Sequence, residues 1–130
     1  MVQRAAGPQY HNLAQRLDSA NDEVAVSVIS FEEQMRGWLA FIEKAKSLNQ
    51  QINAYGRLHA LLEDFTTRPV LEFDKACADQ FERLLRSRVR VATMDLKIAA
   101  TAIAHDALLL SGNLRDFRKV PGLRVDDWSV

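Results

Sequence analysis

Three carboxylates stand out for the chemistry they could do together: Glu33, Asp95 and Asp116. Glu33 comes one turn after a β-branched run at 24–29. Asp95 opens an alanine-rich segment, and Asp116 ends the turn Ser111-Gly-Asn-Leu-Arg-Asp116 after the apolar stretch 108–110. Carboxylates converging from separate elements are natural ligands of Mg²⁺ or Mn²⁺, hard cations that prefer oxygen. Such an ion polarises a phosphoryl oxygen and lowers the pKa of bound water, which suits phosphodiester hydrolysis. Each acid also has a plain structural reading. Ser30-x-x-Glu33 fits a capping box, Asp95 would favour a helix start through the dipole, and Asp116 would close a turn. Periodicity alone does not show that the three meet.

The elements that must position them follow from pattern. Residues 8–20 predict a short helix with Tyr10, Leu13 and Leu17 on one face. The run 24–29 predicts a strand, and Ser30 opens a helix to about residue 48, with Met35, Leu39, Ile42 and Ala45 on its apolar stripe. A second helix spans about 51–65 and stops at Arg68-Pro69, because proline disfavours a helical residue before it. Residues 70–73 predict a strand. Asp74 is a good N-cap for a helix over 75–86, and Thr93 or Asp95 caps another over about 96–105. Strands at 108–110 and 123–125 follow, separated by turns at Gly112-Asn113 and Pro121-Gly122. This order, α-β-α-α-β-α-α-β-β, predicts an α/β fold with a parallel sheet covered on both faces. Ligands in such folds gather at the carboxyl ends of strands.

Composition narrows the class. The 130 residues argue for a single domain, and 48% hydrophobic with 26% charged residues exclude wholesale disorder. Seventeen basic against seventeen acidic residues exclude a polycation or an acidic tail protein. No run approaches the roughly 18 apolar residues of a membrane span. The N-terminus has no apolar core of a signal peptide. Cys77 is the only cysteine, which excludes an internal disulfide and a cysteine-rich zinc site and fits the cytoplasm. His11, His59 and His105 show no metal-ligand spacing; His105, near a helix end, reads as a partner of the dipole, and Cys77 as a small buried residue. Trp38 and Trp128 read as packing or interface residues. Neither a P-loop nor a dinucleotide fingerprint occurs.

Three blocks carry a resemblance to a known family. Val26-Ser-Val-Ile-Ser-Phe-Glu-Glu33-Gln-Met-Arg-Gly37 resembles the second acidic motif of the PIN-domain nucleases in their VapC toxin branch. Asp95-Leu-Lys-Ile-Ala-Ala resembles the third. Leu110-Ser-Gly-Asn113-Leu-Arg-Asp116-Phe117, with Val120-Pro-Gly-Leu-Arg-Val-Asp-Asp-Trp128, resembles the fourth motif and the C-terminal strand. The segment around Glu33 is also similar to the branch of initiator-tRNA endonucleases. The resemblance implies a three-layer fold with a central, mostly parallel sheet flanked by helices. It further implies a Mg²⁺-dependent endoribonuclease, with Mn²⁺ as the alternative ion, cleaving RNA or tRNA. Its partners would be an antitoxin of VapB type and a second copy in a homodimer. By position, Glu33, Asp95 and Asp116 would hold the metal and do the chemistry. Asn113 would orient Asp116 or the substrate, and Ser111 stands where the family often has Thr.

Basic side chains supply a route to RNA. Arg83, Arg86, Arg88 and Arg90 form one cluster, and Arg115, Arg118, Lys119 and Arg124 form another near the acids. Such cations bind phosphate backbones; the alternative is an ordinary solvated face.

The departure from the family lies at the front. PIN domains open with an apolar strand ending in Asp, whereas Met1-Val-Gln-Arg-Ala-Ala-Gly-Pro leads into the first helical pattern. Asp18, Asp22 and Glu23 do not replace that acid convincingly. A carboxylate about 4 Å from a divalent ion supplies on the order of 8 kcal/mol of gross attraction at an effective dielectric near 20. Three readings account for the departure: a start codon placed too far downstream, which is preferred, a truncated remnant, or a strand supplied by another chain. The remnant would bind antitoxin or RNA without cleaving. The chain alone is expected to cleave RNA poorly; Mg²⁺-dependent cleavage at a rate comparable to that of an N-terminally extended version would refute this.

Overall fold

The computed structural model describes residues 25–127. The helix expected over 8–20 lies outside the described residues, as do His11, Asp18, Asp22, Glu23 and Trp128. In chain order the elements are β1 (Val26–Ser27), α1 (Val28–Lys44), α2 (Leu48–Thr66), β2 (Val70–Leu71), α3 (Lys75–Arg86), α4 (Thr93–Ala104), β3 (Leu109–Ser111), α5 (Leu114–Phe117) and β4 (Val125–Asp127).

Both strand pairings are parallel. Val26 stands opposite Val70 and Ser27 opposite Leu71, while Leu109, Leu110 and Ser111 face Val125, Asp126 and Asp127. The α/β class with helical crossovers is as expected. Among the described residues β1 pairs with β2 and β3 with β4. Strands this short supply few ladder bonds, and the helices carry most of the packing.

Local chemistry moved several boundaries. The strand predicted over 24–29 stops at Ser27, whose hydroxyl accepts the Ile29 N–H at 3.0 Å and caps α1 three residues before Ser30, the expected opening of that helix. Val28 and Ile29 are therefore helical in spite of their β-branching, and Ile29 is buried in the core. Ser30 lies inside α1, so the expected capping box with Glu33 does not form. The Ser30 hydroxyl is buried with no hydrogen-bond partner among the described residues. The next helix starts at Leu48 because the Ser47 hydroxyl accepts the Gln50 N–H at 3.1 Å while the Gln50 carboxamide takes the Lys46 N–H at 2.8 Å. Asp74 caps α3 as predicted, accepting the Cys77 N–H at 3.1 Å. Neither Thr93 nor Asp95 caps α4; its cap position is Ala92, without a side-chain bond, and Asp95 sits in the first turn. Pro121-Gly122 turns the chain with Gly122 at φ +82°, a left-handed value that favours glycine.

Two cores result. The larger surrounds α4, where Leu96, Ile98, Ala99, Ala100 and Ala102 are buried with Ile29 of α1, Leu84 of α3, Leu109 of β3, and Phe117 and Val120. The small residues let α1 and α3 close on α4. A second cluster of Val26, Leu61 and Phe65, flanked by Phe31, Met35, Trp38 and Leu58, joins α1 to α2. Phe31 and Phe65 meet edge-on with centroids 5.0 Å apart. Among the described residues no helix is long and apolar enough to cross a membrane.

Opposite outcomes are expected at two positions. Ala100→Leu overfills the core and should lower unfolding free energy by about 1–3 kcal/mol. Gly56→Ala in α2, where a Cβ meets nothing within 4 Å, should raise it by about 0.5–1 kcal/mol. Urea melts of the two variants read the signs.

Candidate acidic active site

β3 ends on Ser111, which is fully buried. Its hydroxyl accepts the Asn113 N–H at 2.9 Å, turning the chain from strand into α5. Asn113 occupies the N-cap position of α5 but makes no capping bond. Its carboxamide instead donates to Asp116 Oδ2 at 3.2 Å. Lys119, three residues on, places its ammonium 3.3 Å from Asp116 Oδ1. Both oxygens of Asp116 are therefore held, and its pKa lies below the ordinary carboxyl value, first through the Asn113 hydrogen bond, then through Lys119.

Asp95 behaves oppositely. It is half-buried in the first turn of α4, and its pKa is raised, first by burial and then by the charge of Asp116. The structure thus brings these two acids, from α4 and α5, into each other's field. Asp116 keeps its charge and the repulsion falls on Asp95. Glu33 is half-buried on α1, one turn beyond Ile29, whose side chain packs into the core around α4. Its charge does not figure among those that move either Asp95 or Asp116. Gly37, the other fixed point of the Glu33 motif, is exposed, and a Cβ there would meet nothing within 4 Å.

One further acid reaches this edge. Asp127, at the carboxyl end of β4, stands in register with Ser111. The rule that ligands gather at strand ends could have singled it out from the sequence. The basic residues divide into two settings. Arg83 donates to Gln80 at 2.9 Å and Arg86 pairs with Glu82 at 3.2 Å, as on a solvated helix face. Arg115 and Arg118 are exposed on and just beyond α5.

The donor chemistry suits a hard divalent ion. Hydroxyl, carboxamide and carboxylate groups follow one another from Ser111 to Asp116 beyond β3, and the Asp116 charge acts on Asp95, a repulsion that a cation would relieve.

Comparison with known proteins gives the family. The family model described as PIN domain matches residues 5–123. The chain belongs to the PIN-domain family. Among similar proteins, Ribonuclease VapC1 of Rickettsia felis is 33% identical over 103 residues, covering 78% of this chain and 65% of the relative. The tRNA(fMet)-specific endonuclease VapC of Salmonella typhimurium is 27% identical over 122 residues, covering 90% and 84%. Among solved structures, a DNA-bound VapBC from Salmonella typhimurium superposes with a TM-score of 0.71 at 23% identity, over 89% of this chain and 83% of that one. The fold of this PIN domain is therefore that of the VapC structures, while the matched stretch spans just under two thirds of the Rickettsia relative.

The raised pKa of Asp95 fixes the sign of a pH effect. Folded chain retains this proton over a pH range in which unfolded chain has lost it, so stability falls as pH rises above ~3.9, the ordinary Asp value. At neutral pH the whole penalty is present. Asp95→Asn should therefore raise the melting temperature at pH 7 without divalent ions by a few degrees, and the gain should disappear at a pH where the carboxyl is protonated in both states. Calorimetry at the two pH values checks this.

Proposed function

We propose that this PIN domain is a divalent-metal-dependent endoribonuclease of toxin type. The observation that supports this most is the acidic pair: Asp95 and Asp116, far apart in sequence, share one field beside an Asn113–Ser111 turn at the end of a parallel strand. A bound Mg²⁺ or Mn²⁺ would polarise a phosphoryl oxygen and acidify water. Asp95 and Asp116 would hold it, with Glu33 completing the acidic set from α1. Asn113 keeps Asp116 in orientation through its hydrogen bond. Lys119 keeps that carboxyl ionised, and it would turn from Asp116 toward substrate phosphate. Arg115 and Arg118, both exposed, would meet the RNA backbone, and Arg83 and Arg86 would extend that contact from α3. The substrate class follows from the relatives named as ribonucleases and as a tRNA(fMet)-specific endonuclease; tRNA is the RNA proposed here.

The partners follow from surface and kinship. Leu39, Phe41, Leu48, Ile52, Tyr55 and Leu62 on α1 and α2 are large apolar side chains left exposed, Leu48 at 75% and Ile52 at 69%. A VapB-type antitoxin, as in the VapBC neighbour, and a second copy of this chain would cover such surface. A second reading, a module that binds antitoxin or RNA without cutting, is favoured by the ammonium of Lys119 already lying on Asp116.

Incubation of total RNA and purified tRNA with the chain and Mg²⁺ separates these readings. Cleavage is expected to need the divalent ion, to stop on addition of EDTA, and to fall by about 100-fold or more in Asp95→Asn and Asp116→Asn. Parent and variants cutting alike would exclude the acidic pair. RNA binding without any ion-dependent cutting would establish the second reading.

A further inference from the structure

Away from the acidic pair, a second group of donors meets where α3 begins and α4 ends. Asp74, Cys77 and His105 each offer one ligand atom, and these atoms all lie within 4.8 Å of one another. Asp74 is the N-cap of α3, with one carboxylate oxygen on the Cys77 N–H. The Cys77 sulfur lies 3.4 Å from the Glu72 carbonyl oxygen, and His105 Nε2 lies 3.4 Å from the same oxygen. One backbone carbonyl thus draws sulfur and imidazole to a common point. Cys77 is buried, while Asp74 and His105 are exposed, so the group opens to solvent on one side. Asp95 and His105 stand at opposite ends of α4, about 15 Å apart along its axis. The two sets of donors are separate.

We propose that Asp74, Cys77 and His105 bind a zinc-class divalent ion that clamps the start of α3 to the end of α4. Sulfur, nitrogen and oxygen together are a donor set that borderline-soft Zn²⁺ accepts and hard Mg²⁺ does not. A tetrahedral zinc ion holds its ligand atoms about 3.5 Å apart. The donors need only close modestly from their present spacing, and both 3.4 Å contacts to the Glu72 carbonyl are long enough to yield. Three protein ligands leave a fourth position for water on the open side. Binding transfers the thiol proton of Cys77 to solvent as the sulfur–metal bond forms, so affinity falls as pH falls. The ion stabilises the fold by mass action, because it joins the ends of the two helices that pack most extensively in the main core.

The test uses the reduced 130-residue chain with Co²⁺ as a spectroscopic probe and Zn²⁺ as competitor. A near-ultraviolet thiolate-to-cobalt charge-transfer band is expected, saturating at a single ion per chain, and Zn²⁺ should displace it and raise the melting temperature. Cys77→Ser should abolish the band, and His105→Gln, at an exposed position, should weaken binding by more than about tenfold. Circular dichroism verifies that both variants fold. Asp95→Asn should leave the band intact. The proposal is overturned if folded parent shows no band, if the zinc response survives unchanged in both ligand variants, or if it disappears in Asp95→Asn. RNA cleavage is not a readout here, so the fate of the nuclease reading does not decide the outcome.

Discussion

The arrangement rests on a helix with hardly any bulk at its centre. Along α4, Leu96, Ile98, Ala99, Ala100, Thr101 and Ala102 are all buried. Alanine at three of these positions lets neighbouring backbones approach closely, and the polar side chain among the six, Thr101, returns its hydroxyl to the Lys97 carbonyl at 2.8 Å. On the buried face of such a helix, chemistry is left to the two ends. Asp95 occupies the first turn and His105 the last cap, so the packing of the centre decides what each end meets.

At the first end the decisive partner is the loop after β3. Buried serines perform the same task twice: Ser27 ends β1 and starts α1, and Ser111 ends β3 and shapes the turn into α5. Each converts the end of a strand into the beginning of a helix within one or two residues. The carboxyl edge of the molecule is therefore crowded with short connections carrying acids and amides, which is where α/β folds place their ligands. The price of crowding appears in the unequal ionisation of Asp95 and Asp116, one resisting its charge and the other supported by Asn113 and Lys119.

What was legible in the sequence depended on whether the signal was local. Asp74 followed by an amphipathic run marked α3 to the residue, because a side-chain cap fixes a boundary by one hydrogen bond. Val28 and Ile29 misled, since their strand preference is weaker than the cap at Ser27 and the burial of Ile29. Ser47-x-x-Gln50 was a readable capping pattern that would have placed the start of α2. The meeting of Asp95 with Asp116 was not readable from periodicity at all; only the order of motifs, through family resemblance, suggested it. Likewise, a search for histidine spacing within one helix passes over His105 and Cys77, because the fold, not the local turn, brings them together.

The hairpin of α1 and α2 has a different character from the rest. Its own cluster is small, built on Val26, Leu61 and Phe65, and of its two helices only α1, through Ile29, enters the cluster around α4. Cooperative units of a domain open at free energies set by their own buried contacts. The outer helix α2, with Leu48, Ile52 and Tyr55 facing solvent, should therefore detach and reclose many times for each complete unfolding of the molecule. A chain built this way should have a slow-exchanging centre and a fast-exchanging arm, and whatever covers the arm would govern how often its backbone amides meet water.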